Sequence, residues 1–210
     1  MRMRKKRHGA ERIAACSEYF ITNTSEYNSF PAELEIGCGK GAFILGCAKR
    51  YPGRNFVAME KISDVILLAA EKLKAENMQN VRLINADASR LQEFFPDGSV
   101  SRIYLNFSDP WPKKGYYKRR LTYRGFLEIY KKLLAPGGEI ILKTDNEGLF
   151  DFSLEEFTAS GFELSGLTRD LHASEYAADN IMTEYEKNFS EKGFKIHRVV
   201  ARLTEKNGNE

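Results

Sequence analysis

A glycine-rich turn and a few acidic side chains stand at spacings that could hold a nucleotide-like ligand. Gly37-Cys38-Gly39-Lys40-Gly41 lies where an apolar run gives way to a helical pattern. Small residues there let the backbone pass close to a ligand, and the free N–H groups of the following helix point at it. The spacing is G-x-G-x-G, neither the G-x-G-x-x-G of dinucleotide sites nor the P-loop with its Lys-Ser/Thr ending. Glu60 follows about twenty residues on, where a carboxylate can accept from both hydroxyls of a ribose. Asn85-Ala86-Asp87 closes the next apolar run, and Asp87 can accept from an adenine amino group while its neighbours wall the base. Glu35 sits inside a run expected to form a central parallel strand, where apolar residues are the rule; a carboxylate facing a cationic cofactor explains it. A glycine-rich turn alone often marks only a tight turn, and any one acid can be a solvated loop residue. At successive strand ends they line the crevice where open α/β sheets bind ligands, and together they point to S-adenosylmethionine as cofactor.

A second cluster is Asn106-Phe-Ser-Asp109-Pro-Trp-Pro-Lys113, whose prolines stiffen a turn that holds Asp109 and Trp111 beside the crevice. Directly behind it run Lys114, Gly115, Tyr116, Tyr117, Lys118, Arg119 and Arg120. Bases interleaved with tyrosines suit phosphates plus an exposed nucleobase; the bland alternative is a solvated loop.

These residues need a scaffold, and the pattern supplies one. Apolar runs predict seven strands, at Glu33–Gly37, Asn55–Glu60, Val81–Ala86, Ser101–Phe107, Glu139–Thr144, Phe162–Arg169 and Phe194–Leu203. Helical patterns lie between them, notably Ile62–Asn77 and Phe126–Leu134, the second stopped by Ala135-Pro-Gly-Gly138. Alternation of this kind predicts an α/β, Rossmann-like, mostly parallel sheet with helices on both faces. Residues 1–30 read as a basic arm with a first helix and 31–210 as a single domain, with no repeat or linker dividing it.

The composition, 42% hydrophobic and 29% charged over 210 residues, is that of a globular protein rather than a disordered or fibrous one. No apolar stretch is long enough for a membrane span or a signal peptide, so a cytoplasmic location is expected. The cysteines Cys16, Cys38 and Cys47 share no C-x-x-C spacing and lie far from any histidine pair, which implies quiet thiols and no metal. The net charge of +3 is segregated. Bases gather at Met1–Arg12 (Arg2, Arg4, Lys5, Lys6, Arg7, Arg12 against Glu11) and again, with no acid, at Lys113–Arg124; the remaining body is acidic. A polyanion partner fits that pattern.

The run Phe107-Ser-Asp-Pro-Trp-Pro-Lys113 continuing to Lys118-Arg-Arg120 resembles the diagnostic segment of bacterial tRNA (guanine-N7-)-methyltransferases. The resemblance spans nearly the whole chain, to Thr183-Glu-Tyr-Glu186, which looks like the family's T-x-Y/F-E substrate motif. It differs only where the family commonly shows His and Tyr116 or Tyr117 stands here. It implies a class I methyltransferase fold whose last strand runs antiparallel, and methyl transfer to N7 of a guanine in the variable loop of tRNA. It further implies that Asp109 lies between cofactor and guanine, and that Lys113, Asp145, Thr183, Glu184, Tyr185 and Glu186 meet the substrate. Glu186 with Thr183 is then expected to accept from the N1–H and N2–H of guanine, while Tyr185 stacks or merely packs. Guanine N7 keeps its lone pair at neutral pH, so positioning should supply most of the catalysis. Two rivals stand beside this reading. An adenine amino-methyltransferase is weakened because Pro112 follows Trp111 instead of preceding it, and a non-catalytic RNA-binding scaffold is weakened by the intact set Glu35, Glu60, Asp87 and Asp109.

Overall fold

The computed structural model describes residues 7–22 and 32–203, and within them the apolar runs become one seven-stranded sheet. Its strands are β1 (Ala32–Ile36), β2 (Phe56–Met59), β3 (Val81–Ile84), β4 (Val100–Asn106), β5 (Leu134–Thr144), β6 (Phe162–Thr168) and β7 (His197–Leu203). They lie in the order β3-β2-β1-β4-β5-β7-β6. Strands β1 to β5 are parallel, whereas β7 runs antiparallel to both β5 and β6, as the resemblance implied. The order reverses direction at β1 and β4, so the carboxyl ends of those two strands flank the switch-point crevice of an open α/β sheet.

Six α-helices accompany the strands among the described residues: α1 (Gly9–Ala14), α2 (Ala42–Arg50), α3 (Ser63–Ala75), α4 (Arg124–Leu133), α5 (Glu147–Ala159) and α6 (Glu184–Ser190). Helices α2 to α5 cover the sheet from both sides because each carries an apolar stripe at helical spacing. Leu127, Tyr130, Leu133, Phe150 and Phe157 of α4 and α5 pack with Leu34 and Ile36 on one face. Phe43, Ile44, Ile66, Ala70 and Leu73 of α2 and α3 pack with Phe56 and Ala58 on the other. No helix among the described residues is long and apolar enough to cross a membrane.

Two boundaries differ from the sequence reading by more than about two residues. Ala135-Pro-Gly-Gly138 is drawn into β5, which pairs Leu134 with Val100 across a register shift, while Gly137 supplies a φ of +72°. The last strand begins at His197 because Phe194 is held back in a turn, its N–H donating to the Phe189 carbonyl at 3.1 Å. The basic arm falls largely outside the described residues, as Arg2, Arg4, Lys5 and Lys6 do. Arg12 is spent internally on a two-pronged pair with Glu71 of α3, both contacts at 2.7 Å.

Candidate cofactor and substrate site

The glycine loop leaves β1 with three left-handed residues, Gly37, Gly39 and Gly41 at φ of +80°, +56° and +76°. The N–H groups of Gly37 and Cys38 donate to the Met59 carbonyl, locking the loop across the end of β2. A Cβ on Gly41 would lie 2.7 Å from the Ala69 Cβ, so that glycine lets α2 approach α3; around Gly37 and Gly39 the space is open.

Glu60 closes the loop from the opposite side. Its Oε2 accepts from the Gly39 N–H at 3.3 Å and its Oε1 from the Ile62 N–H at 2.9 Å. Asn85 is occupied with scaffolding: its Nδ2 donates to the Glu60 carbonyl and its Oδ1 accepts from Ser63 Oγ, at 2.8 and 2.7 Å. Asn85, expected to touch the cofactor, is exposed and in this structure links Glu60 to the start of α3. Ala86 and Asp87 line a cavity of about 650 Å³ together with Glu60, Phe107, Asp109 and Trp111. Asp87 accepts from both the N–H and the hydroxyl of Ser89, and these bonds hold its carboxyl below the usual carboxylate range.

A second cavity of about 330 Å³ shares Gly37 and Phe107 with the first and is lined by Glu35, Asn106, Thr183 and Tyr185. Glu35 is 2% exposed, and burial raises its carboxyl to about 7 against the opposing effects of the Asn106 hydrogen bond and the Lys143 charge. One oxygen accepts from Asn106 Nδ2 at 3.0 Å. The other, with Asn106 Oδ1 and Ser108 Oγ, is buried without a partner among the described residues. Glu35 and Asn106 line this second cavity and Ser108 the first; buried polar atoms are normally satisfied, so orphaned oxygens on the two adjoining cavities fit a ligand that brings its own donors. The ammonium of S-adenosylmethionine is such a donor, beside Glu60 for a ribose and Asp87 for an adenine.

The turn after β4 is strained at both ends. Phe107 and Trp111 have φ of +52° and +42°, a region that bulky side chains rarely enter and that marks functional turns. Between them Asp109 is exposed, and its side chain has no partner among the described residues. Arg120 braces the turn, donating to the Pro110 and Trp111 carbonyls at 2.9 and 3.4 Å while its guanidinium lies 4.3 Å from the Phe152 ring. Arg120, expected to contact RNA, thus has at least two of its donors turned to the protein and serves here to hold the turn. The rest of the run stays outward. Lys113, Lys114, Tyr116, Tyr117 and Lys118 are exposed, and Arg119 lies over both Trp111 and Tyr116, at 5.0 and 4.7 Å.

The Thr183–Glu186 motif opens α6. Thr183 is its N-cap, bonded to the Glu186 N–H at 2.8 Å in a capping box. Glu186 is fully buried, and Lys143 Nζ (2.7 Å), Asn180 Nδ2 (2.5 Å) and the Thr183 N–H (3.4 Å) surround its carboxylate. Glu186, expected to accept from a guanine edge, therefore has its oxygens engaged within the protein, away from solvent. Glu184 ties α6 to Lys40 of the glycine loop and to Lys72 of α3. Tyr185 remains at the cavity, its hydroxyl donating to Asp145 Oδ2 at 3.2 Å and its ring 5.0 Å from that of Phe107.

Sequence reasoning missed Lys143 and gave no individual role to Asn106, Phe107 or Ser108 within their cluster. Lys143 had a signal, for a charge inside Ile-Ile-Leu-Lys-Thr is as anomalous as Glu35 inside β1. Nothing in the sequence announces that Phe107 adopts a left-handed conformation.

A family model described as "Putative methyltransferase" matches residues 29–199. The tRNA (guanine-N(7)-)-methyltransferase of Brevibacillus brevis is 48% identical over 204 residues, 92% of this chain and 94% of that protein. The enzyme of the same name from a Geobacillus species is 45% identical, covering 98% of this chain and 97% of its own. Among solved structures, the 16S rRNA methyltransferase KamB superposes with a TM-score of 0.62 at 13% identity, covering 86% of this chain and 92% of that one. That likeness establishes the Rossmann-like class I methyltransferase fold.

Proposed function

The chain belongs to the family of tRNA (guanine-N(7)-)-methyltransferases, and from that premise we propose how its crevice transfers a methyl group from S-adenosylmethionine to N7 of a guanine in tRNA. The observation that carries the reading is the buried oxygens of Glu35, Asn106 and Ser108, without a partner among the described residues and leading into the strained Asp109 turn. The cofactor, when bound, supplies a methyl group made electrophilic by its sulfonium. Glu35 would receive the ammonium, Glu60 the ribose hydroxyls and Asp87 with Ala86 the adenine, which leaves Asp109 and Tyr185 to frame the target base.

Guanine N7 carries a lone pair at neutral pH, so attack needs alignment more than a strong base. Asp109 orients the base and offsets positive charge developing on the ring. The exposed bases from Lys113 to Arg119 neutralise phosphates, and a guanine of the variable loop is the target the family resemblance implies. A tRNA in which 7-deazaguanosine replaces guanosine offers no nucleophile at that position. It should accept no methyl group under conditions that methylate the normal transcript, and transfer to it would contradict N7 as the acceptor.

Glu35 also sets a pH dependence. Its carboxyl is raised to about 7, so the group is protonated below that pH and loses its attraction for an ammonium. Affinity for S-adenosylmethionine is expected to fall by about tenfold per pH unit below 7, in calorimetric titrations down to pH 5.5. Glu35→Gln should bind weakly with a flattened profile; an equally steep profile in that variant would assign the dependence elsewhere. The sign is opposite for the fold itself. A raised carboxyl contributes stability that is complete below its ordinary value of 4.5 and is lost as pH rises through about 7.

A further inference from the structure

The aromatic side chains beyond the reaction turn form a continuous row. Phe107 meets Tyr185 with ring centroids 5.0 Å apart, and Tyr185 stacks on Phe189 at 4.0 Å and 13°. Phe189 in turn meets Phe194 edge-on at 5.3 Å. The first ring lines both cavities, whereas the last is 52% exposed, a large apolar surface to leave in water at the end of a polar helix. The turn that places it is built for the purpose: Gly193 at φ +80° reverses the chain, and the Phe194 N–H returns to the Phe189 carbonyl at 3.1 Å. Lys192 Nζ lies 5.3 Å from the Phe189 ring, and neither Lys192 nor Lys187 has an acidic partner among the described residues.

We propose that Phe194, at the outer end of this row, is a stacking platform for an unpaired nucleotide flanking the target guanine, with Lys187 and Lys192 meeting its phosphates. The proposal rests on the reading that a tRNA guanine enters the cavity beside Tyr185. A base in a loop can reach such a cavity only if its neighbours unstack, and an exposed aromatic face restores the stacking they lose. Continuity with the cavity and the positive charge beside the rings select a nucleotide over an apolar protein segment.

Phe194→Ala, Phe194→Leu and Phe194→Trp test it, through the Kd for tRNA, the Kd for S-adenosylmethionine, the single-turnover rate at saturating tRNA and the elution volume of each protein. Exposed as it is, Phe194 should be replaceable with the fold intact, and unchanged cofactor binding checks that. Alanine and leucine should both raise the Kd for tRNA by about 5- to 100-fold, with tryptophan matching or improving on phenylalanine and the saturated rate within about twofold of wild type. Leucine keeps the apolar bulk but lacks a π-face, so wild-type affinity in Phe194→Leu would overturn stacking. An unchanged Kd in Phe194→Ala, or a change of oligomeric state in that variant, would overturn the proposal by assigning the patch to packing or to a protein contact. Because tRNA binding and methyl transfer by the wild type are read separately, failure of the guanine-N7 reading appears as absent transfer by the wild type, independently of the variants.

Discussion

Replacing Asp109 by alanine is expected to lower the rate of methyl transfer by about 10²- to 10³-fold, the usual cost of removing one group that stabilises developing charge. The effect should fall mainly on the chemical step. Asp109 is exposed and its side chain has no partner among the described residues, so its loss breaks no contact that supports the fold. The strain of the turn resides in Phe107 and Trp111, and Arg120 holds it from behind through backbone carbonyls, none of which the substitution touches. Most affinity for tRNA should survive, because Lys113, Lys114, Lys118 and Arg119 supply the attraction for phosphates. Single-turnover rates with a melting curve and a tRNA titration separate these effects. Near-wild-type turnover would remove Asp109 from the reaction.

Lys143→Met should destabilise the protein by about 3–5 kcal/mol, as expected when one partner of a buried ion pair is removed. For a chain of this length, each kcal/mol shifts Tm by about 2–4 °C, so a drop of roughly 6–20 °C is expected. Lys143 is 3% exposed and Glu186 is 0% exposed. The three donor bonds of Nζ go to the Glu186 carboxylate, the Ile181 carbonyl and Asn180 Oδ1, at 2.7, 2.9 and 3.0 Å. Methionine fills similar space but leaves the Glu186 carboxylate buried without its principal counter-charge. Since that pair fastens the start of α6, Tyr185 should lose its fixed place over Phe107, and KM for tRNA should rise as well. The double variant Lys143→Met/Glu186→Gln removes both charges and should recover much of the lost Tm. A single variant that melts within about 2 °C of wild type would show that α6 is held by its other contacts, such as the Glu184 pairs.

The parts of this architecture that follow from periodicity were legible in the chain itself. Seven apolar runs became seven strands, and Glu35, Glu60 and Asp87 fall on the crevice because a strand end is fixed by where its run stops. Polar pairing across the sheet was not legible. Glu33 and Glu35 are equally odd acids on the same face of β1, yet Glu33 is paired with Arg54 and Arg102 and accepts from the Tyr104 hydroxyl, while one Glu35 oxygen has no partner among the described residues. Only the register that sets Glu33 against Arg102 of β4 tells them apart. Glu186 misled for a related reason. Its motif suggested a ligand for the base, but a capping box and Lys143, from a strand far away in the chain, turn it inward. Arg120 likewise belongs to a basic run by composition and to the inside of a turn by geometry.

The central claim is most directly tested by incubating unmodified tRNA with the protein and S-adenosylmethionine labelled in its methyl group, digesting the RNA and identifying the labelled nucleoside. Label confined to 7-methylguanosine is the expected result. Label in 6-methyladenosine, or tRNA that binds and emerges unlabelled, would contradict it.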